Sequence, residues 1–241
     1  MPAFSILLPN PPVAGRAGAH SGGAALSGGD PFAAGREVAW SGPDALAAGQ
    51  VAVSGVGECE DFPHTEILVV TGGRLILSSA EGGRRELSPG QGVVIARGTA
   101  LRFEAAPGTR WAFCAGTGLA SAAPGLTELP EDAVLSPSSP PPIELLEGPA
   151  PQCRSFNAFT DEAMRLRAGI WDSTPYRRVS RPHRVNELMH VLAGSVTLTG
   201  ADGRPVRIGA GETVFVPHGV PCAWTNDEHV AKIYVVQEVA A

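Results

Sequence analysis

Apolar and β-branched residues along this chain come in short runs divided by glycine, proline and aspartate. Leu188 to Thr199 is one such run, Ala201-Asp202-Gly203 turns the chain, and Pro205 to Ile208 begins a return strand. Asp-Gly between two runs signals a hairpin because both central residues must tolerate positive φ. Gly211-Glu212-Thr213-Val214-Phe215-Val216-Pro217 then reads as turn, strand and stop, and Val230 to Val236 supplies a last apolar strand. Several short antiparallel strands at this spacing predict an all-β barrel or jelly roll.

The pattern occurs twice. Glu66 and Glu187 lie 187 − 66 = 121 positions apart, and the same offset joins Gly73 to Gly194, Gly82 to Gly203, Gly90 to Gly211, Gly98 to Gly219 and Phe103 to Trp224. A shared glycine frame implies a shared backbone path even where side chains have diverged. The expected organisation is a flexible N-terminal arm over 1–36, a degenerate N-terminal barrel over 37–115, a Pro-rich connector over 116–152 and a C-terminal barrel over 153–241. The arm rests on the Gly, Ala and Ser dominance of Gly15 to Gly35, and the connector on Pro124, Pro130, Pro137 and the triplet Pro140-Pro141-Pro142. A short helix is expected around Asp161 to Arg167, with Thr160 as its cap and Met164 and Leu166 packing.

Composition narrows the function. The 241 residues carry 17% charged residues, 30 glycines, 22 prolines and a formal net charge of −6, with no basic block, so nucleic acid is not an expected partner. Lys232 is the only lysine. The apolar run from Phe4 to Leu8 is too short for a signal core or membrane span, so no membrane association is expected. Cys59, Cys114, Cys153 and Cys222 form no CxxC pair, which fits a reduced, cytoplasmic setting.

Specific motifs point to a family. His183, Glu187 and Gly194 follow the HX3EX6G part of the first cupin motif, with Arg181 in place of its first histidine. Gly211, Pro217, Gly219 and Asn226 fill four of the five fixed positions of the second, GX5PXGX2HX3N, with Cys222 in place of its histidine. The chain thus resembles the cupins, and Ala168-Gly169-Ile170-Trp171, Asn186-Glu187, Cys222-Ala223-Trp224 and Lys232-Ile233-Tyr234 resemble the branch named after ureidoglycine aminohydrolase. The resemblance covers about Arg165 to Val236 and, through the repeat, about Val51 to Cys114. It implies two tandem RmlC-like jelly-roll barrels packed as an intramolecular pseudo-dimer, with a homodimer as the next level of assembly. Leu68, Val70, Leu188 and Leu192 are the expected exterior positions of that packing.

Alternation along an unbulged strand would point Arg181, His183, Glu187 and Met189 one way, toward Cys222 and Trp224 on a strand opposite. These six residues are the candidate pocket. Imidazole, carboxylate and thiolate are ligands for Zn, Fe or Mn, so His183, Glu187 and Cys222 are the candidate metal set, with a divalent metal as an option rather than a requirement. Arg181 could instead form an internal ion pair with Glu187. Arg177, Arg178, Arg181 and Arg184 read either as selectors of an acidic substrate or as a solvated strand edge. His190 falls on the opposite face, and Trp224 reads as core or as a stacking surface. In the first copy Phe62, Glu66 and Leu101 stand where His183, Glu187 and Cys222 stand in the second, so that barrel reads as structural. Two functions stay open: a bicupin that binds a small molecule in a partly apolar pocket with Met189, Val191 and Trp224, and a metal-dependent hydrolase of the ureidoglycine aminohydrolase type acting on a small nitrogenous acid.

Overall fold

The computed structural model describes residues 6–8 and 26–239 of the chain. The first repeat forms β1 (Ile6–Leu8), β2 (Arg36–Ser41), β3 (Leu46–Ala52), β4 (Gly55–Cys59), β5 (Thr65–Gly72), β6 (Leu75–Ser79), β7 (Gly83–Leu87), β8 (Gly92–Ile95), β9 (Leu101–Ala105) and β10 (Arg110–Gly116). The second forms β11 (Leu126–Leu129), β12 (Ser136–Ser138), β13 (Cys153–Asp161), β14 (Leu166–Ser173), β15 (Tyr176–Pro182), β16 (Val185–Ala193), β17 (Ser195–Thr199), β18 (Pro205–Gly209), β19 (Thr213–Val216), β20 (Pro221–Asn226) and β21 (Val230–Glu238). The fold is all-β, two jelly-roll barrels, and no helix is long and apolar enough to cross a membrane among the described residues.

Each barrel closes a large sheet over a four-stranded one. The N-terminal barrel has the order β11-β8-β5-β10-β3-β2 over β4-β9-β6-β7, and the C-terminal barrel has β1-β19-β16-β21-β14-β13-β12 over β15-β20-β17-β18. Burial follows the side chemistry of each sheet. In β9, Leu101, Phe103 and Ala105 are buried while Arg102 and Glu104 are exposed, the alternation of a strand with one wet face. In β5 every residue is buried, because its second face meets the other barrel. Ile67, Val69, Val94 and Cys114 pack there with Leu188, Phe215, Ile233 and Val235 in one core shared by both repeats. Leu188 and the half-buried Leu192 join this interface as expected, but Leu68 and Val70 lie inside the N-terminal barrel. Counting by twos from the inward Glu66 places them there.

The first strand of each repeat is exchanged. β1 pairs with β19 of the second repeat, and β11 pairs with β8 of the first. The register is the same in both: Ile6↔Phe215 and Thr127↔Val94 differ by 121 at each end. Such reciprocity is the signature of an isologous, two-fold arrangement written into one chain.

Several local expectations need correction. Much of the Gly-rich arm lies outside the described residues, but its end is docked: Phe32 is 1% exposed and contacts the rings of Phe62, Phe103 and Trp111, and Asp30 and Arg36 form a buried ion pair at 2.7 Å. The Pro-rich connector holds β11 and β12 and bridges back through Leu146 to Arg178. Residues 162–165 form a hairpin turn rather than a helix, with Arg165 at φ 52°. The Asp161 carboxylate, not Thr160, accepts the Met164 backbone N–H there, and it also accepts those of Ser121 and Ala122. Gly203 has its positive φ, but in the first repeat this falls on Gly83 rather than Gly82. Gly73 and Gly194 match closely at φ 73° and 69°, and a Cβ on Gly194 would stand 2.0 Å from the His229 carbonyl oxygen, so no other residue fits.

Candidate ligand site in the C-terminal barrel

The site is built on three neighbouring strands of the large sheet, β16, β21 and β14. On β16 the inward residues are Glu187, Met189 and Val191; on β21 Lys232 is the partner of Val191, and on β14 Trp171 is the partner of Lys232. The small sheet contributes Cys222 and Trp224 from β20. His183 lies in the corner between β15 and β16, where its N–H donates to the Val220 carbonyl and its own carbonyl accepts from Gly219. Phe62 is held by the same two bonds to Thr99 and Gly98, so the histidine and phenylalanine occupy one backbone position in the two repeats.

The Glu187 carboxylate is shared between two cationic or polar partners. Lys232 Nζ donates to Oε1 at 2.8 Å, and His183 Nε2 meets Oε2 at 2.9 Å. The Lys232 ammonium also stands 4.8 Å from the Trp171 ring and 5.0 Å from the Trp224 ring, contacts that add to the ion pair as the site loses water. Trp224 stacks on Tyr176 at 5.7 Å and donates its Nε1–H to Asn226, so the cage is fixed in orientation. Burial opposes ionisation of Glu187, but Lys232 and His183 outweigh it and hold the carboxyl well below the usual carboxylate range. Burial pushes the Cys222 thiol up to about 11, despite Arg178, Lys232 and Arg181 nearby.

The structure places the six candidate residues around one barrel interior, though not as an unbulged strand would. The register of β15 shifts between Arg178 and Arg181, which sets Arg181 opposite Cys222, and the corner after Pro182 carries Glu187 onto β16 of the other sheet. The internal ion pair expected of Arg181 is therefore made by Lys232. Arg181 Nε and Arg178 Nε are both buried without a hydrogen-bond partner, although Arg178 donates through a second nitrogen to the Cys222 carbonyl. Met189 and Cys222 are each 1% exposed and pack with Val191 and Trp224, so the apolar lining is as expected.

A divalent metal does not fit the residues as they stand. No group of three or more His, Cys, Asp and Glu side chains gathers as a metal cage among the described residues. Both Glu187 oxygens are engaged, the Cys222 thiol is held in its neutral form, and an ammonium stands where a metal's charge would have to be. Lys232, Trp171 and Tyr176 were not among the candidates, and Arg178 was named only with Arg177, Arg181 and Arg184 as a selector of an acidic substrate or a strand edge. The usable signal was one lysine in an otherwise apolar strand, at the offset of 121 from Trp111.

The first barrel makes the same frame serve packing. Glu66 accepts from Trp111 Nε1 at 3.0 Å, from Arg36 at 2.8 Å and meets His64 Nε2 at 3.1 Å. Burial opposes its charge, but Arg36 and His64 bring its pKa down to about 2. His64 turns inward to Glu66, and Ser27 closes its other nitrogen at 3.0 Å. The side chains of Arg36, His64 and Glu66 are all 0% exposed, whereas those of Lys232, His183 and Glu187 are 9%, 10% and 12% exposed.

Comparison with known proteins places this architecture. The model of the EutQ-like cupin domain matches residues 160–234. A solved structure from Pseudomonas syringae pv. tomato, described as a protein of unknown function of the DUF861 family, is 41% identical, covers 96% of this chain and 98% of its own, and superposes with a TM-score of 0.89. A Cupin 2 conserved barrel domain protein from Leptotrichia buccalis is 15% identical over 80% of this chain and 83% of its own, at 0.56. The HEPD structure from Streptomyces albus is 9% identical over 82% and 69%, at 0.50; these last two likenesses are of fold alone. Comparison with curated proteins finds no significant match. On its strong likeness to the Pseudomonas syringae protein and its paired jelly-roll barrels, the chain belongs to the DUF861 family of the cupin superfamily.

Proposed function

We propose that this bicupin binds a small molecule in its C-terminal barrel, with Glu187, Lys232 and His183 as polar anchors and Trp224, Met189 and Val191 as the apolar lining. The observation that carries this reading is the difference in access between two otherwise matched clusters. The Glu66 cluster is sealed at 0% exposure behind Phe32, while the Glu187 cluster keeps side-chain exposures of 9–12%. A few convergent polar groups in an apolar, solvent-reached barrel are what a ligand site requires. The N-terminal barrel then serves as the permanent partner of the C-terminal one. The Streptomyces albus neighbour is described with Fe(II) bound, but Lys232 already neutralises Glu187 here, so no metal enters this reading.

A thermal-shift screen of small polar metabolite-like compounds tests it. Compounds that raise the melting temperature should bind at least about tenfold more weakly to Glu187→Gln, since a buried charged partner is lost. Hits indifferent to that substitution would contradict the reading.

One observation favours a catalytic version. His183 is hydrogen-bonded to Glu187 through Nε2 while its Nδ1 is buried without a partner, the arrangement of a base oriented by a carboxylate. The hydrolase reading, action on a small nitrogenous acid, would use that nitrogen. A His183→Gln variant that keeps ligand affinity but loses turnover would favour it.

A further inference from the structure

We propose that the Lys232 ammonium takes the place of a metal ion in this barrel, and that the site it creates is metal-independent and selects a small carboxylate through Arg178 and Arg181. The inference rests on the small-molecule reading above and adds the charge of the ligand.

The charges around Cys222 do not balance. Lys232 and Glu187 cancel, held together at 2.8 Å with the ammonium against two adjoining indole rings. Arg178 and Arg181 remain as two cations, one bonded to the Cys222 carbonyl and the other paired in register with that residue. Neither makes an ion pair among the described residues, and each has a buried Nε with no acceptor. Arg178 is only 7% exposed. Burying a guanidinium donor without an acceptor is costly, and a carboxylate, which can accept two parallel N–H bonds, is the ligand chemistry that removes the cost. Burial and the repulsion of Arg178 and Arg184 already lower the Arg181 pKa, so the field here favours an arriving anion and opposes an arriving cation. By contrast the exposed Arg177 of β15 is paired at the surface with Asp227 at 3.0 Å. The strand-edge reading fits Arg177 but not the buried Arg178 or the half-buried Arg181, whose Nε is out of solvent.

The test uses the full-length protein purified without an affinity tag. Calorimetric titrations follow Zn(II) and Mn(II), then sodium acetate, malonate, succinate and benzoate, each against its neutral amide at constant ionic strength. Only binding lost in Glu187→Gln counts for the metals. The wild type should bind neither metal at this site tighter than about 1 mM, while Lys232→Met, which frees Glu187 and His183, should bind at least about tenfold better. Should Lys232→Met fail to fold, Lys232→Arg keeps the charge and should stay as refractory to metal as the wild type. At least one carboxylate should bind about tenfold or more tighter than its amide, and Arg181→Gln should remove that preference. Wild-type metal binding tighter than about 1 mM that Glu187→Gln abolishes would overturn the proposal. So would a site where all four carboxylates bind no better than their amides. A neutral ligand bound at Glu187 would leave the small-molecule reading standing and sink this one.

Discussion

The two glutamates at matching positions show how much a few partners decide. Glu66 is locked by an arginine, a histidine and an indole N–H, with Asp30 completing the arginine's charge. Removing the central partner, Arg36→Met, leaves two buried carboxylates uncompensated and should cost roughly 3–5 kcal/mol, read as a lower urea midpoint. An unchanged midpoint would show that the network is not structural. His190 gives a second test at this scale. It stands at the offset of 121 from Val69 in the shared interface, 1% exposed, with Nδ1 on Thr213 at 2.8 Å and a pKa that burial lowers to about 4. Its folded pKa lies below its ordinary 6.5, so the unfolded chain takes up the proton first. Stability is therefore full above about pH 6.5 and is lost as pH falls toward about 4, by a total on the order of 3 kcal/mol. Glu66, lowered to about 2 from 4.5, acts below that window. Melting temperatures of His190→Val should be flatter than wild type between pH 6.5 and 4.5; equal slopes would refute the assignment.

Among individual residues, Glu187, His183, Cys222, Met189 and Trp224 were legible because motif spacing fixes the barrel interior. Lys232 was not, because a side chain's charge partner depends on which strands become neighbours, and for the same reason the sequence left Arg178 open between an acid-selecting and a strand-edge role. The bulge in β15, which sets Arg181 opposite Cys222, and the corner after Pro182, which carries Glu187 onto the other sheet, are both invisible to counting by twos.

At the scale of elements, strands were readable from alternation and turn glycines, while β1, β11 and the docked end of the arm were not. A Gly, Ala and Ser composition hides single anchors such as Phe32, whose three aromatic partners come from three distant strands or loops. Phe32→Ala should cost about 3–5 kcal/mol through the cavity it leaves beneath Glu66. The indole signals of Trp171 and Trp224, in the other barrel, should stay in place in the nitrogen–proton correlation spectrum of that variant. Movement of those signals would show that the plug supports both sites. Exchange of β1 and β11 was unreadable for a related reason: three or four apolar residues carry no information about which sheet edge they will join.

For the whole molecule, reciprocal strand exchange and one core spanning Ile67, Val69, Leu188 and Ile233 bind the two repeats together. Neither barrel can open without exposing that core, so unfolding should be a single calorimetric transition whose van't Hoff and calorimetric enthalpies agree. Two resolved transitions would mean that the barrels are independent. Duplication then has a physical reading: one copy keeps its interior filled and supplies a fixed surface, which leaves the other free to keep a polar cluster within reach of solvent.

That division of labour can be read from four signals. The chain has four tryptophans: Trp111 bonded to Glu66, Trp40 packed on Phe215 at 4.7 Å, and Trp171 and Trp224 beside Lys232. Titrating a ligand found in the screen while following the indole nitrogen–proton correlations should move the Trp171 and Trp224 signals and leave that of Trp111 in place. A ligand that moves the Trp111 signal, or binds without moving either of the pair beside Lys232, would contradict the account.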